Sequence, residues 1–168
     1  MPAETMSRRE TDRVHELVAF HVGNEDYAVD IRHVQEINRF STLITLPQAP
    51  EFIEGVLNLR GEVMPVIDLR ERFGLPGDAT IKSPRIIITP IAGVPTGLVV
   101  DAVDEVRSVD QRKLEDPPKV TSGGANAYIQ KVAKTPGGVI FILEIQQLLS
   151  DVEGRQLEAF QGKRRVEP

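Results

Sequence analysis

The sequence contains no cysteine and no tryptophan, and aromatic residues make up only 5% of it. Without cysteine, disulfide bonds and thiolate metal sites are excluded. The scarcity of aromatic residues argues against an oligonucleotide-binding barrel, because single-stranded nucleic acids need stacking platforms. A formal net charge of −5 argues against nucleic-acid binding in general, since phosphate contacts require a basic face.

The sequence also lacks a long apolar run. The longest candidate, Ile86–Val100, is interrupted by two prolines and two glycines, and a membrane-spanning helix needs about 18 uninterrupted apolar residues. Residues 1–13 lack the apolar segment of a secretory signal. We therefore expect a cytoplasmic protein. Its 168 residues, 40% hydrophobic and 27% charged, fit one globular domain or two intimate lobes.

Motifs of catalysis and metal binding are absent from the sequence. His15, His21 and His33 share no metal-ligand spacing. The sequence has no nucleophile elbow. Gly93–Gly97 is a proline-containing turn and not a phosphate-binding loop. We expect no catalytic residue, no cofactor and no metal. An enzyme or small-ligand domain that uses carboxylates in a cleft is the alternative from another class.

Short apolar runs separated by turns about every ten residues indicate antiparallel barrels rather than βαβ units. A short helix, Leu69–Phe73, is expected between the cap Asp68 and the stop Gly74. A second helix is expected at Ile145–Val152, ending before Gly154. The predicted strands are Leu17–Val22, Tyr27–Ile31, Val34–Ile37, Leu43–Leu46, Val56–Leu59, Val63–Ile67, Arg85–Ile91, Gly97–Val100, Val103–Val109, Tyr128–Lys134 and Val139–Leu143.

Three segments are expected outside this pattern. Residues 1–14 are mostly charged or polar and predict a mobile tail. Residues 114–127 are rich in proline, glycine and polar residues and predict a long mobile loop. Residues 153–168 are expected to form a C-terminal helix and tail, which leaves residues 15–152 as the domain.

The stretch Gly55–Leu69 predicts two strands joined near Gly61, a residue that tolerates the positive φ of a tight turn. This turn displays Arg60 on an apolar scaffold. Arg60 either pairs with a neighbouring carboxylate or contacts a partner, and both roles are compatible if Glu36 orients it. Gly55 and Gly61 are interpreted as residues that permit the local backbone conformation rather than as residues that contact a partner.

Two segments of the first half are repeated in the same order in the second half. Val34–Ile37 matches Val103–Val106 about 70 residues later, and Gly61–Leu69 matches Gly137–Ile145 about 76 residues later. The repeat predicts two similar β lobes with a seam between them, each lending the other a strand or helix. Only the first copy of the hairpin carries arginine at its turn.

With this hairpin and repeat, the sequence resembles the CheW family of coupling proteins in bacterial chemotaxis arrays. The similarity covers approximately residues 16–150. It implies an all-β fold of two intertwined SH3-like five-stranded barrels with short helices and a C-terminal helix. The residues that carry it are Phe20–Gly23, Tyr27, Asp30-Ile31, Val34–Ile37, Thr45–Pro47, Gly55–Gly61, Pro65–Leu69, Asp101, Val103–Val106, Tyr128-Ile129 and Ile142–Leu149.

The resemblance also implies a function and a site. Members of the family join chemoreceptor tips to the regulatory domain of the histidine kinase CheA, without catalysis, at membrane-associated receptor arrays. A coupling protein of a gliding or alternative chemosensory pathway is the second possibility within the family. Val34 is equally compatible with a core role, and core packing is the better interpretation for at least one of Val103 and Val106. The implied receptor-binding residues are Val34, Glu36, Asn58, Arg60, Val103 and Val106, supported by Gly55 and Gly61.

Overall fold

The computed structural model describes residues 14–78, 80–117 and 127–166, with side chains up to residue 160. Residues 1–13 of the expected tail and residues 118–126 of the expected loop lie outside this part. Val14, the last residue of the expected tail, already belongs to a strand. The described residues are mainly β-sheet, so the predicted all-β class is confirmed.

Eleven strands in the described residues form two sheets. The six-stranded sheet has the order β8-β1-β2-β11-β10-β9, and the five-stranded sheet has the order β3-β6-β7-β5-β4. In chain order the strands are β1 (Val14–Val22), β2 (Glu25–Asp30), β3 (Glu36–Arg39), β4 (Gly55–Leu59), β5 (Glu62–Asp68), β6 (Arg85–Ile91), β7 (Val94–Val100), β8 (Ala102–Asp110), β9 (Leu114–Glu115), β10 (Ile129–Thr135) and β11 (Gly138–Leu143).

The two lobes exchange segments of the chain. The N-terminal hairpin β1–β2 joins the six-stranded sheet, whose other strands all come from the second half. In return, the C-terminal helix α2 (Asp151–Val166) contacts β5 and β7 of the five-stranded sheet. A shorter helix, α1 (Leu69–Arg72), follows β5 and is capped by Asp68, whose carboxylate accepts a hydrogen bond from the N–H of Arg70. The lobes are therefore intertwined, as predicted.

The two sheets repeat one strand order and one register. The order β3-β6-β7-β5-β4 corresponds to β8-β1-β2-β11-β10, with β9 added at the outside. The sequence repeat is thus a structural repeat. Val18 lies opposite Val29 and Val106 in one sheet, and Ile87 lies opposite Leu98 and Ile37 in the other, each residue 69 positions from its counterpart.

Two predicted strand boundaries were wrong. Leu43–Leu46 forms only a single bridge, Ile44 to Val56, because the Leu46 carbonyl instead accepts a hydrogen bond from the Ala49 N–H in a turn. In the second lobe the equivalent pairing is β9, which makes that sheet six-stranded rather than five-stranded. The strand expected at residue 34 begins at Glu36, because the Asp30 carboxylate caps a 3-10 turn at Ile31–His33.

The helix expected at Ile145–Val152 was also wrong. Ile145–Gln147 is a 3-10 turn, and α2 begins at Asp151 and continues through Gly154. Ser150 and Glu153 exchange hydrogen bonds in a capping box: the Ser150 N–H donates to the carboxylate, and the Glu153 N–H donates to the hydroxyl. The expected domain boundary after residue 152 falls inside this helix.

One apolar core is shared by both lobes. Its fully buried members include Phe20 of the six-stranded sheet, Leu98 of the five-stranded sheet and Leu157 of α2. Separate small clusters lie on each sheet, around Ala28 in one lobe and around Ile86 in the other. Because a barrel of this size buries a thin core alone, the shared cluster stabilises both lobes together.

Gly97 is required by close packing inside the five-stranded sheet. A Cβ at this position would lie 2.8 Å from Ile86 Cγ2 and 3.3 Å from Val66 Cγ2, and both neighbours are fully buried. We expect Gly97→Ala to lower the free energy of unfolding by about 1–3 kcal/mol, as overpacking does. Gly137→Ala is the matched control, because no heavy atom outside the adjacent residues lies within 4 Å of the place its Cβ would take. Urea unfolding measures both, and equal stability of the two variants would contradict the packing argument.

Candidate partner-binding surface

The β4–β5 hairpin ends in a two-residue turn at Arg60 and Gly61. Both residues have positive φ, 53° and 85°, which is the signature of a type I′ turn. Asn58 closes the turn, since its Oδ1 accepts a hydrogen bond from the Gly61 N–H at 3.1 Å. Asparagine or glycine suits the first turn position better than arginine. Arg60 therefore occupies a strained conformation, which is a feature of functional positions.

Arg60 forms a two-pronged ion pair with Glu36. Nη1 donates to Oε1 at 3.0 Å and Nη2 donates to Oε2 at 2.8 Å. Glu36 lies on β3 and Arg60 at the end of β4, which are the two edges of the five-stranded sheet. The pair therefore joins the two edges, as the curvature of a barrel requires. It fixes the direction of the guanidinium group.

The ion pair is displayed to solvent. The Arg60 side chain is 70% exposed and the Glu36 side chain is 32% exposed. The hydrogen bonds from Arg60 hold the pKa of the Glu36 carboxyl below its usual value, and the pKa of Arg60 is raised in return. Since exposed ion pairs contribute little to stability, the arrangement presents an oriented charge more than it stabilises the fold.

Gly55 lies where two backbones approach closely. A Cβ there would be 2.9 Å from the carbonyl oxygen of Ile44 and 3.0 Å from the Leu43 Cβ. That approach allows the Ile44 N–H and carbonyl to bond with Val56 at 2.9 and 2.8 Å. Around Gly61, by contrast, space is open, and its positive φ is the constraint. Both glycines thus act on the backbone around Arg60.

The three predicted valines are placed differently from the ion pair. Val34 and Val103 are half-buried and pack against the shared core. Val106 is 51% exposed on β8, the edge strand of the six-stranded sheet. The structure therefore brings Glu36, Asn58 and Arg60 together in the first lobe, while Val103 and Val106 lie on the corresponding edge strand of the second lobe.

Sequence reasoning missed three exposed apolar residues that follow Glu36 in the chain. Ile37, Phe40 and Ile44 are exposed large hydrophobic residues on and after β3. An apolar residue in a predicted strand does not by itself indicate exposure. Strand alternation does not reveal it: Glu36 and Ile37 are neighbours whose side chains point to opposite faces of β3, and the pattern alone does not say which face is exposed.

The side chain of Glu54, next to Gly55, lies against another carboxyl group. Its hydrogen bond with Glu71, together with desolvation and the charges of Glu71 and Asp68, raises the pKa of Glu54 to about 7. The pKa of Asp68 is raised as well, mainly by burial. Folding therefore favours the protonated form of Glu54.

This carboxyl pair predicts a pH dependence of stability. Because the pKa of Glu54 rises from 4.5 to about 7 on folding, its contribution is fully present below pH 4.5 and is lost as the pH rises through 7. Urea unfolding of Glu54→Gln between pH 4.5 and 7 should show a smaller decline in stability than the parent protein. Glu71→Gln should act in the same direction. A decline that is identical in all three proteins would contradict this assignment.

Other features bear on the enzyme alternative and on the expected lack of a membrane span. A groove of about 500 Å³ is lined by His15, Asp30, Arg32, Lys131 and Glu144 among others. Its Asp30 is engaged by Arg32, whose hydrogen bonds lower the pKa of that carboxyl. Within the described ranges, no group of three or more His, Asp or Glu residues is arranged to hold a metal ion. No helix in that part of the chain is long and apolar enough to cross a membrane.

Comparison with known proteins identifies the family. The model of the CheW-like domain matches residues 16–153. The chemotaxis protein CheW of Treponema pallidum is 32% identical over 151 residues, covering 87% of this chain and 88% of that protein. The corresponding protein of Klebsiella aerogenes is 32% identical over 138 residues, covering 82% and 83%. Protein FrzA of Myxococcus xanthus is 32% identical over 143 residues, covering 83% and 88%.

A solved structure extends this agreement to the fold. The crystal structure of the scaffolding protein TtCheW from Thermoanaerobacter tengcongensis is 40% identical in sequence and matches with a TM-score of 0.75. The match covers 86% of this chain and 97% of that one. The resemblance drawn from the hairpin and repeat is confirmed, and this chain belongs to the CheW family.

Proposed function

We propose that this chain is a non-catalytic chemotaxis adaptor that couples the cytoplasmic tips of chemoreceptors to the regulatory domain of the histidine kinase CheA. Its relatives named as chemotaxis proteins, and the scaffolding protein with the same fold, support the adaptor role. The adaptor works in the cytoplasm and reaches membrane-associated arrays only through the receptors it binds. It needs no cofactor.

The observation that carries the proposal is Arg60. Its guanidinium is exposed, is oriented by Glu36 from the opposite sheet edge, and sits on a strained turn that asparagine or glycine would fit better. A partner binds such a fixed, exposed charge more tightly than a mobile one, because less side-chain entropy is lost on binding. We therefore assign receptor recognition to the turn of Asn58, Arg60 and Gly61.

The receptor surface extends from this turn onto Val34, Val103 and Val106. Val34 and Val103 rest on the core shared by the lobes, and Val106 adds exposed apolar area on β8. A receptor tip that binds as a helix in a groove would bury its apolar face against these valines and pair its polar rim with Arg60. The second lobe completes this groove and docks the kinase.

Co-sedimentation tests the coupling directly. Membranes bearing a chemoreceptor are mixed with CheA, with and without this protein, and the pelleted kinase and its autophosphorylation rate are measured. We expect the adaptor to pellet with the membranes, to bring more kinase down and to raise the rate. The proposal fails if neither the kinase in the pellet nor its rate changes on addition of the protein.

The relative from Myxococcus xanthus supports a second candidate within the same class. Protein FrzA is as similar in sequence as the chemotaxis proteins named above, which is compatible with coupling in an alternative chemosensory pathway. The same assay distinguishes the two, because receptors and kinases of different pathways encoded in one genome can be tested in every pairing. The pairing that gives kinase activation identifies the pathway.

A further inference from the structure

Two hairpin turns in this fold are each held by a residue from the other lobe. One is the β1–β2 turn at Gly23 in the six-stranded sheet, and the other is the β6–β7 turn at Ala92 in the five-stranded sheet. The two positions are counterparts in the repeat, 69 residues apart. Both have left-handed backbone conformations, with φ of 64° at Gly23 and 51° at Ala92.

The first clasp consists of Arg70, Asp101 and Gly23. Nε of Arg70, in α1, donates to the two Asp101 oxygens at 2.9 and 3.1 Å. Oδ2 of Asp101 accepts a further hydrogen bond from the Gly23 N–H at 2.8 Å, and the Asp101 N–H donates to the His21 carbonyl at 2.9 Å. The side chains of Arg70 and Asp101 are only 15% and 14% exposed, so water screens this ion pair less than the pair at Arg60.

The second clasp consists of Gln146, Ala92 and Pro90. Gln146 is the counterpart of Arg70, 76 positions later, and follows β11 of the six-stranded sheet as Arg70 follows β5. Its Oε1 accepts a hydrogen bond from the Ala92 N–H at 3.1 Å, and its Nε2 donates to the Pro90 carbonyl at 2.8 Å. A neutral amide therefore holds the second turn directly, whereas Arg70 holds the first through Asp101.

Asp101 lies at the crossing between the lobes. It is the single residue between β7 of the five-stranded sheet and β8 of the six-stranded sheet. The residue at the equivalent place after β2 is Arg32, and its side chain bonds to Asp30 within the same turn. Among the described residues, Arg32 therefore does not repeat the contact that Asp101 makes with a turn and with Arg70. The two hairpin turns are held by different interactions.

We infer that Arg70, Asp101 and Gln146 are positioning residues that fix the orientation of one lobe relative to the other. The shared apolar core holds the lobes together, but burial of apolar surface is non-directional. Hydrogen bonds have strict geometry, so the two clasps set the angle at which the core is shared, together with the hydrogen bonds from Arg72 to the Leu148 carbonyl and the Glu153 carboxylate. The consequence for signalling rests on the proposed function: the clasps keep the receptor-facing turn at a fixed position relative to the kinase-docking lobe.

Distances between spin labels in the free protein test this inference. The chain has no cysteine, so Arg39→Cys on β3 and Val139→Cys on β11 label one site in each sheet. We expect Arg70→Met with Gln146→Ala to shift or broaden the distance distribution by about 2 Å or more, the scale of a rearrangement between packed units. Arg32→Met is the control, because it removes an exposed ion pair confined to one turn. An unchanged distribution in the folded double variant would overturn the inference.

The single variant Gln146→Ala keeps the test decisive if the double variant does not fold. Gln146 is exposed, and its replacement leaves the half-buried Arg70–Asp101 ion pair in place, so folding should survive. A smaller broadening supports the clasp, and an unchanged distribution contradicts it. Because these distances are measured without receptor or kinase, they test the clasps even if the proposed function fails.

The coupling assay then adds the functional consequence. We expect Gln146→Ala to lower the affinity for receptor membranes about twofold or more, because the proposed receptor groove includes residues of both lobes and therefore depends on their relative orientation. Kinase activation in the ternary assembly should fall in proportion to the broadening. Full activation despite a broadened distribution would show that lobe orientation has no role in signalling.

Discussion

Arg60→Asn is expected to weaken receptor coupling about thirtyfold, the effect of losing an arginine at the centre of an interface, without lowering the thermal transition temperature. Asparagine fits the left-handed first position of a type I′ turn better than arginine does, and φ at this position is 53°. The exposed ion pair with Glu36 that is lost contributes little to stability. Receptor co-sedimentation and thermal unfolding measure the two effects separately.

Charge reversal refines this experiment. Arg60→Glu places two carboxylates where the pair with Glu36 stood, and should weaken coupling more than Arg60→Asn because it repels the same partner group. Glu36→Gln keeps the size of the side chain and tests whether orientation matters, and we expect an intermediate loss. A large fall in the transition temperature of Arg60→Asn would show that Arg60 is structural. Unchanged coupling in both Arg60 variants would remove the turn from the receptor surface.

The largest loss of stability is expected for Leu157→Ala in α2. Leu157 is fully buried in the core that both lobes share, so the substitution leaves a cavity and should lower the free energy of unfolding by about 2–5 kcal/mol. Val152→Ala is the control in the same helix, because Val152 is exposed. Urea unfolding of the two variants gives the comparison.

This experiment also decides how α2 belongs to the fold. Arg72 of α1 donates to the Leu148 carbonyl at 2.9 Å and pairs with Glu153, so polar contacts and the Leu157 side chain dock the same end of the helix. If α2 is part of the cooperative unit, Leu157→Ala shifts a single transition. A cost below about 1 kcal/mol, the size of a surface effect, would mean that the two lobes are stable without the helix.

The hairpin and the repeat were predictable because the sequence alone shows both, the first as a local pattern and the second as matching segments. Gly61 between two apolar runs marked the β4–β5 turn, and the matching segments about 70 and about 76 residues apart lie on corresponding strands of the two sheets. The short helix after Asp68 followed from its cap. Each of these signals is a spacing or a match between segments, and neither requires knowledge of which distant residues touch.

Contacts between distant residues were not predictable in the same way. Arg70 and Asp101 are 31 positions apart, and Gln146 and Ala92 are 54 positions apart, so only the packing of the lobes reveals them. The position of Arg60 on a displayed turn was predictable, but its bidentate geometry with Glu36 depends on the sheet curling until its edges meet. The start of α2 is a different case, because the Ser150–Glu153 capping box is a local signal that the sequence does contain.

The most direct test of the adaptor account is a chemical-shift map of the isotopically labelled protein, titrated separately with a receptor-tip fragment and with the CheA regulatory domain. The account predicts that the receptor tip shifts the amides of Glu36, Asn58 and Arg60, and that the kinase domain shifts a separate set in the second lobe. Arg60→Asn should remove the first set of changes and leave the second. Coincident shifts from both ligands, or no shift at the Arg60 turn with the receptor tip, would contradict it.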